Sequence, residues 1–262
     1  MRFHLFEFED FSWFPDIIRT GGTDYLRYFL LRTELYKPCV PLLHKTLQLT
    51  GENKIIDLCS GGGGYIEKIY DELEKIAPNS VKITLTDKFP NIKAYELIKI
   101  RTNGRIDYVE DSVDVFNMSK NIDGLQVMFS AIHHFKPFQV REILQQSVNS
   151  GRPICIFDGG EKGLIPIIGL MIIHPIAFVL FTPFFKPVKI SRLFFTYVVP
   201  LIPLYTIWDG VISILRMYTP GDFKQIVNTL ENNNYSWELG KTKNRFGIKA
   251  TYLIGYPKYE KQ

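Results

Sequence analysis

The chain has 262 residues, 46% of them hydrophobic, which is enough to bury one substantial core and too apolar for a disordered segment. Its formal charge of +4 and pI near 8.8 are mildly basic, but the lysines and arginines are scattered rather than gathered in a stripe, which argues against a nucleic-acid partner. Cys39, Cys59 and Cys155 are odd in number, far apart and outside any metal-ligand spacing, so a reducing intracellular setting and no metal site are expected.

In chain order, Met1 to Asp10 brings three acids and no long apolar core, so no secretory signal is expected there. An aromatic-rich leader follows, with Phe11, Trp13, Phe14, Tyr25, Tyr28, Phe29 and Tyr36, interrupted by Pro15 and by Gly21-Gly22. Thr23-Asp24 is expected to cap a helix that runs to about Tyr36 and stops before Pro38. From Ile55 onward strands and helices alternate: a strand at 55–58, a helix at 65–77, a strand at 81–86, a helix at 91–101 and a strand at 106–109. A strand at 124–130, a helix at 137–149 and a strand at 153–157 continue the series, the pattern of a parallel sheet covered by helices. Thr219-Pro220-Gly221-Asp222 opens a helix expected to reach Asn232, and two last strands are expected at 236–240 and 250–256.

The chemistry concentrates where the first strand of this series ends. Ile55 to Gly64 reads as an apolar run, a carboxylate at Asp57, then Cys59-Ser60 and four glycines before a helix. Such a turn lets a bulky ligand lie against the main chain, where a Cβ would collide with it. The next strand ends in Asp87, an acid placed to hold ribose hydroxyls, with Lys88 and Phe89 beside it to flank a base. Together these suggest an adenosine ligand. A dinucleotide is disfavoured, because Ile66 stands where a pyrophosphate-binding loop needs its third glycine.

The run from Asp57 to Gly63 resembles the first motif of the class I S-adenosylmethionine-dependent methyltransferases, with Cys59 in place of the first glycine. Val127 to Phe135, ending His133-His134-Phe135, is similar to the fourth strand of that family and its frequent His-His-aromatic ending. The resemblance covers roughly residues 50 to 160 and returns at the C-terminus. It implies an α/β fold: a Rossmann-like seven-stranded sheet, mostly parallel with the last strand antiparallel, and an N-terminal helical lid, to which this sequence adds a hydrophobic helical insertion after the fifth strand. The implied divisions are 1–50 for the lid, 51–162 for the cofactor-binding core, 163–216 for the insertion, and 217–262 for the helix and hairpin that complete the core. The cofactor implied is S-adenosyl-L-methionine, with S-adenosyl-L-homocysteine as product. Its expected binding residues are Asp57, Cys59, Ser60, Gly61, Gly63, Asp87, Lys88, Asp111, Ser112 and Ser130, with Asp111 near the adenine and Ser130 under the cofactor at a strand end. Tyr25 and Arg27, on the lid, are candidates to face the substrate.

Gly163 to Phe185 is 23 residues without a formal charge, long enough to cross a bilayer, and Leu193 to Trp208 is a second apolar stretch. The loop between them carries Lys186, Lys189 and Arg192, prolines recur at 166, 175, 183, 200 and 203, and Asp209 follows the second stretch. A simple spanning hairpin is disfavoured on those grounds. Broken helices at a membrane surface, with the basic loop near anionic head groups, are expected instead; a buried subdomain or a dimer interface is the alternative.

Methyl transfer from a sulfonium needs mainly an acceptor held in line, and a hydroxyl acceptor also benefits from a base working near neutral pH. His133 or His134, at the expected carboxyl edge of the sheet, is the candidate base, and His134 also a candidate substrate contact. Asp158 reads as a turn residue. The expected function is methylation of a hydrophobic small molecule or lipid-like acceptor by a cytoplasmic, membrane-associated enzyme, with a homo-oligomer as one way to cover its apolar surface. An inactive module that binds the cofactor or a lipid is the alternative, and a nicotinamide oxidoreductase is disfavoured by the missing glycine.

Overall fold

Short strands rich in Ile, Val and Leu, alternating with helices along the chain, are buried on both faces and therefore pair in parallel. The computed structural model describes residues 2–118, 122–186, 188–231 and 234–258. The described helices are α1 (Asp16–Thr33), α2 (Val40–Thr50), α3 (Ile66–Ile76), α4 (Ile92–Arg101), α5 (Pro137–Ser150), α6 (Leu164–Phe181), α7 (Ile190–Tyr197), α8 (Leu201–Arg216) and α9 (Pro220–Val227). The strands are β1 (Lys54–Leu58), β2 (Lys82–Thr86), β3 (Ile106–Tyr108), β4 (Leu125–Phe129), β5 (Ile154–Gly159), β6 (Tyr235–Lys243) and β7 (Lys249–Pro257). These elements fall into two compact units: Glu34–Gly159 with Tyr218–Gln262, and Met1–Thr33 with Gly160–Met217.

The first unit is a seven-stranded sheet in the order β3-β2-β1-β4-β5-β7-β6. All neighbours are parallel except β7, which runs antiparallel to both β5 and β6. Leu58 pairs with Thr86 on one side and with Met128 on the other, so β1, β2 and β4 end level with one another. The strand order reverses between β1 and β4, the position at which open α/β sheets leave a crevice for a ligand. One core face is built from Ile56, Leu58, Met128, Ile154 and Ile156 against Val140, Ile143 and Leu144 of α5 and Phe223 of α9. On α3 the buried residues Ile66, Ile69 and Leu73 recur at helical spacing, a stripe that faces the protein while Lys and Glu face water.

Within the sheet unit, three elements differ from expectation by more than one residue. The fifth strand runs on to Gly159, so Asp158 is a strand residue rather than part of a turn. The helix opened by Thr219 ends at Val227, and Asn232 lies outside the described residues. Strand β6 is longer than expected because it pairs with β7 over its whole length, from Tyr235 to Lys243.

The second unit is helical. Its α1 starts at Asp16 and passes straight through Gly21-Gly22, which the sequence reading took for an interruption. Tertiary contact explains the glycines: a Cβ on Gly21 would lie 2.3 Å from Ile202 Cδ1, and one on Gly22 1.7 Å from the Tyr205 hydroxyl. Only glycine lets α1 and α8 approach this closely, and that contact outweighs the helix-propensity cost of about 1 kcal/mol per glycine. Asp24 is therefore no helix cap. It takes Lys189 Nζ at 2.9 Å and Arg192 Nη1 at 2.5 Å.

That pairing bears on the basic loop expected near head groups. Arg192 is 2% exposed, with a second bond from Nη2 to the Phe185 carbonyl at 2.5 Å, so two of the three loop cations are committed inside the unit. Helix α6 is also less broken than expected, because it continues through Pro175. The break falls instead between α7 and α8, whose axes are bent by 77°.

Candidate active site at the carboxyl edge of the sheet

The level ends of β1, β2 and β4 bring three turns together. The turn after β1 is tight: Cys59, Gly61, Gly63 and Gly64 have φ of 56°, 55°, 80° and 32°. Cys59 thus occupies the left-handed conformation that a glycine would take without strain, at a cost of about 1 kcal/mol for a residue with a Cβ. Burial pushes its thiol pKa upward, so it is a small packing residue and not a nucleophile. Ser60 locks the turn to β2, its amide donating to the Thr86 carbonyl at 3.0 Å and its hydroxyl accepting from the Thr86 amide at 3.1 Å. The same hydroxyl donates to the Asp57 carbonyl at 2.9 Å, as does that of Thr86, also at 2.9 Å.

Asp87, directly after β2, closes the arrangement. Its Oδ2 accepts the Gly61 amide at 2.8 Å and its Oδ1 the Phe89 amide at 2.8 Å. A carboxylate has about four acceptor positions, so it can take these two amides and still receive a vicinal diol. Phe89 is 80% exposed beside it. Apart from the adjoining residues of the chain, no protein atom lies within 4 Å of where a Cβ would sit on Gly61, Gly62 or Gly64, so the loop presents open backbone. Asp57 is buried beneath it; that burial, together with the nearby Asp87 charge, pushes its carboxyl up to about 7.

The loop beyond β3 is tied to the same place. Val113 donates its amide to the Asp87 carbonyl at 2.9 Å, and Ser112 Oγ donates to the Lys88 carbonyl at 2.7 Å. Lys88 Nζ bonds Asp114 at 2.8 Å, which holds that carboxyl below its usual range. Asp111 is exposed, and the acid anchored to this loop is Asp114, not Asp111. Lys88 therefore contributes its carbonyl and a loop-fixing ion pair.

Strand β4 ends in a second strained turn, with Ser130 at φ 50°. Its amide bonds the Phe157 carbonyl at 3.0 Å and its hydroxyl bonds Tyr36, a wholly buried phenol that also packs edge-on against Phe129. His133 and His134 follow on a short 3-10 turn, their ring centroids 4.4 Å apart. Nδ1 of the buried His133 lies 2.8 Å from Oδ1 of Asp158. A carboxylate oxygen accepts, so this bond favours the His133 tautomer with its proton on Nδ1. Asp158 Oδ2 is buried without a hydrogen-bond partner.

The structure therefore brings together Asp57, Cys59, Ser60, Gly61, Gly63, Asp87, Lys88, Ser112, Ser130, His133 and His134 around one sheet edge. Tyr25 and Arg27 belong to the helical unit, where Tyr25 is buried and stacks on Phe178 with ring centroids 4.0 Å apart. Tyr36 escaped the sequence reading, since no local pattern marks a residue whose partner, Ser130, is 94 positions away. Asp158 carried one signal, an acid at the end of an apolar strand. The set suits an adenosyl group: open backbone at Gly61 and Gly62, a diol acceptor at Asp87, an exposed ring at Phe89, and a buried carboxylate at Asp57.

No protein-family model matches the chain, and no curated protein matches it in sequence. Solved structures do resemble it. Human N-acetylserotonin methyltransferase, in complex with S-adenosylmethionine, superposes with a TM-score of 0.51 at 13% identity, over 95% of this chain and 59% of that one. The S-adenosylmethionine-dependent methyltransferase SibL, in its apo form, gives a TM-score of 0.50 at 12% identity, over 86% of this chain and 56% of that one. The chain thus spans somewhat more than half the length of these proteins. The likeness establishes a class I methyltransferase fold.

Proposed function

We propose that this chain is an S-adenosyl-L-methionine-dependent methyltransferase whose acceptor is a hydrophobic small molecule or lipid-like compound, methylated on a hydroxyl and met at a membrane. The observation that carries the reading is the closure of the open glycine turn by Asp87, whose carboxylate holds the Gly61 amide and keeps acceptor positions for a ribose diol. When bound, the cofactor supplies a methyl group on a sulfonium, already activated for displacement.

The protein's share of the chemistry is binding, orientation and one proton. Asp87 and the backbone of Gly61 and Gly62 seat the nucleoside, and Ser130 sets the edge of β4 beneath it. Asp57, raised by burial, is eased into its ionised form by a cationic ligand nearby. His133, oriented through Nδ1 by Asp158, takes the acceptor's hydroxyl proton on Nε2 as the new oxygen–carbon bond forms and later releases it to water. Oxygen as the nucleophile is favoured by this pair, since a base helps a hydroxyl most. A hydrophobic acceptor is favoured by the apolar surface that residues 164–204 present.

Titration calorimetry with S-adenosylhomocysteine tests the site, and incubation with labelled S-adenosylmethionine and fractionated membrane lipids tests the chemistry. Heat of binding with a labelled lipid product supports the proposal. Binding with no transfer to any fraction leaves a cofactor-binding module without catalysis, and no binding removes the methyltransferase reading altogether.

A further inference from the structure

The helical unit exposes a broad apolar face between residues 164 and 204. Leu164 to Phe184 is a 21-residue segment whose most apolar 18-residue stretch has a mean hydropathy of 2.5 and is only 6% buried. At about 1.5 Å per residue it extends roughly 31 Å, the thickness of a bilayer's hydrocarbon. A helix of this composition inside a soluble core would be covered on nearly every side. Here Leu164, Ile165, Ile168, Ile172, Ile176 and Leu180 are all exposed. At 3.6 residues per turn the exposed apolar positions of α6 sweep roughly 200° of its circumference, wider than the stripe that a single helix–helix seam covers. Exposed Phe194, Val198, Leu201 and Leu204 continue the surface onto α7 and α8.

Part of this unit's charge lies in its interior. Arg192 and Arg216 are each 2% exposed, and Glu7 and Asp209 are buried with them. Arg192 is paired with Asp24; Arg216 bonds Glu7 at 3.2 Å and Asp10 at 2.5 Å; Asp209 accepts the amides of Phe8 and Glu9 at 2.8 and 3.1 Å. Water-soluble proteins place these residue types outside. The helices meet through glycine: besides Gly21 and Gly22 against α8, a Cβ on Gly210 would lie 2.7 Å from Leu170 of α6. Close backbone approach at small residues, with buried charges paired inside the protein, is how helices associate where the surroundings are as apolar as leucine.

We infer that the helical unit is embedded in the hydrocarbon of a phospholipid bilayer through the outer apolar faces of α6, α7 and α8. This deepens the membrane contact of the proposed function and is independent of the cofactor. It also replaces the electrostatic attachment expected from the basic loop: with Lys189 and Arg192 held by Asp24, the binding is hydrophobic and needs no anionic lipid.

The test is flotation of the full chain with vesicles of phosphatidylcholine alone, at low salt and at about 1 M NaCl, where charges are screened within about 3 Å. The parent chain and Lys186→Gln are expected to float equally in both salts. Ile172→Asp and Ile176→Asp, which place a charge on the outward arc, are expected to lower the floated fraction about tenfold or more. Calorimetry with S-adenosylhomocysteine on the same variants reports separately on the cofactor site, so its failure is distinct from failure to float. The inference is overturned if the parent chain stays down as a soluble oligomer, if it floats only on anionic vesicles and is released by salt, or if both aspartate variants float like the parent.

Discussion

Asp158 Oδ1 lies 2.8 Å from His133 Nδ1, joining the end of β5 to the turn after β4 inside the sheet unit. Both groups are buried, so the bond is shielded from competing water and favours the tautomer with its proton on Nδ1. If His133 removes the acceptor proton, His133→Gln lowers kcat about 100-fold or more. Asp158→Asn, whose amide can present the wrong group to Nδ1, lowers it by about tenfold. Both variants should bind S-adenosylhomocysteine within about twofold of the parent, since neither touches the Asp87 closure. Single-turnover methyl transfer, read beside calorimetry, checks this. Unchanged kcat in both variants would mean that the acceptor needs no base.

Two glycines of the turn after β1 separate folding from ligand binding. A Cβ on Gly63 would lie 2.2 Å from Ile98 Cδ1 with φ at 80°, so Gly63→Ala costs stability, about 2 kcal/mol, through overlap and strain. At Gly61 no protein atom beyond the adjoining residues is within 4 Å, so Gly61→Ala costs only about 1 kcal/mol for its φ of 55°. Its methyl group nevertheless projects into the open face against which the nucleoside rests. Urea unfolding should rank Gly63→Ala as the weaker fold, whereas calorimetry should show Gly61→Ala losing about tenfold or more in affinity for S-adenosylhomocysteine.

Asp57 makes stability depend on pH in an unusual direction. Its carboxyl is raised to about 7 by burial, so the folded protein holds a proton that the unfolded chain has already released. Stability contributed by this group is therefore greatest below about pH 4 and declines as pH rises to about 7, then is flat. Glu72, Asp107, Asp114 and Glu238 are held below their usual range, so their opposite contribution is complete by about pH 5. Between about pH 5 and 7 the parent should lose stability on the order of a few kcal/mol, and Asp57→Asn should not. Urea midpoints across that range decide it.

The strand-end chemistry was legible because each residue sits beside the periodicity that locates it: Asp57 and Gly61 follow one apolar run, Asp87 the next. What stayed hidden depends on partners distant in the chain. Gly21-Gly22 reads as a helix break until Ile202 and Tyr205 are seen against it. Tyr36 has no local mark, and Asp158 passes for a turn residue until β5 is followed to Gly159. Lys189 and Arg192 show their charge in the sequence, but their common partner, Asp24, is more than 160 positions earlier.

That carboxylate gives a last prediction about the helical unit. Asp24 on α1 receives both Arg192 and Lys189, from α7 and the segment before it, so one side chain anchors two cations of which Arg192 is nearly inaccessible. Asp24→Ala leaves the guanidinium without its carboxylate while its bond to the Phe185 carbonyl remains. Removing one partner of a buried pair is costlier than never having had the pair, and a loss of about 3 kcal/mol is expected. Replacing both residues by apolar ones, Asp24→Leu with Arg192→Leu, removes the uncompensated charge and should recover much of that loss. The loss should be felt in the helical unit while the Asp87 closure is untouched. Proteolysis of detergent-solubilised protein should then cut first near Phe185 in Asp24→Ala, and not in the double variant, with S-adenosylhomocysteine affinity equal in both.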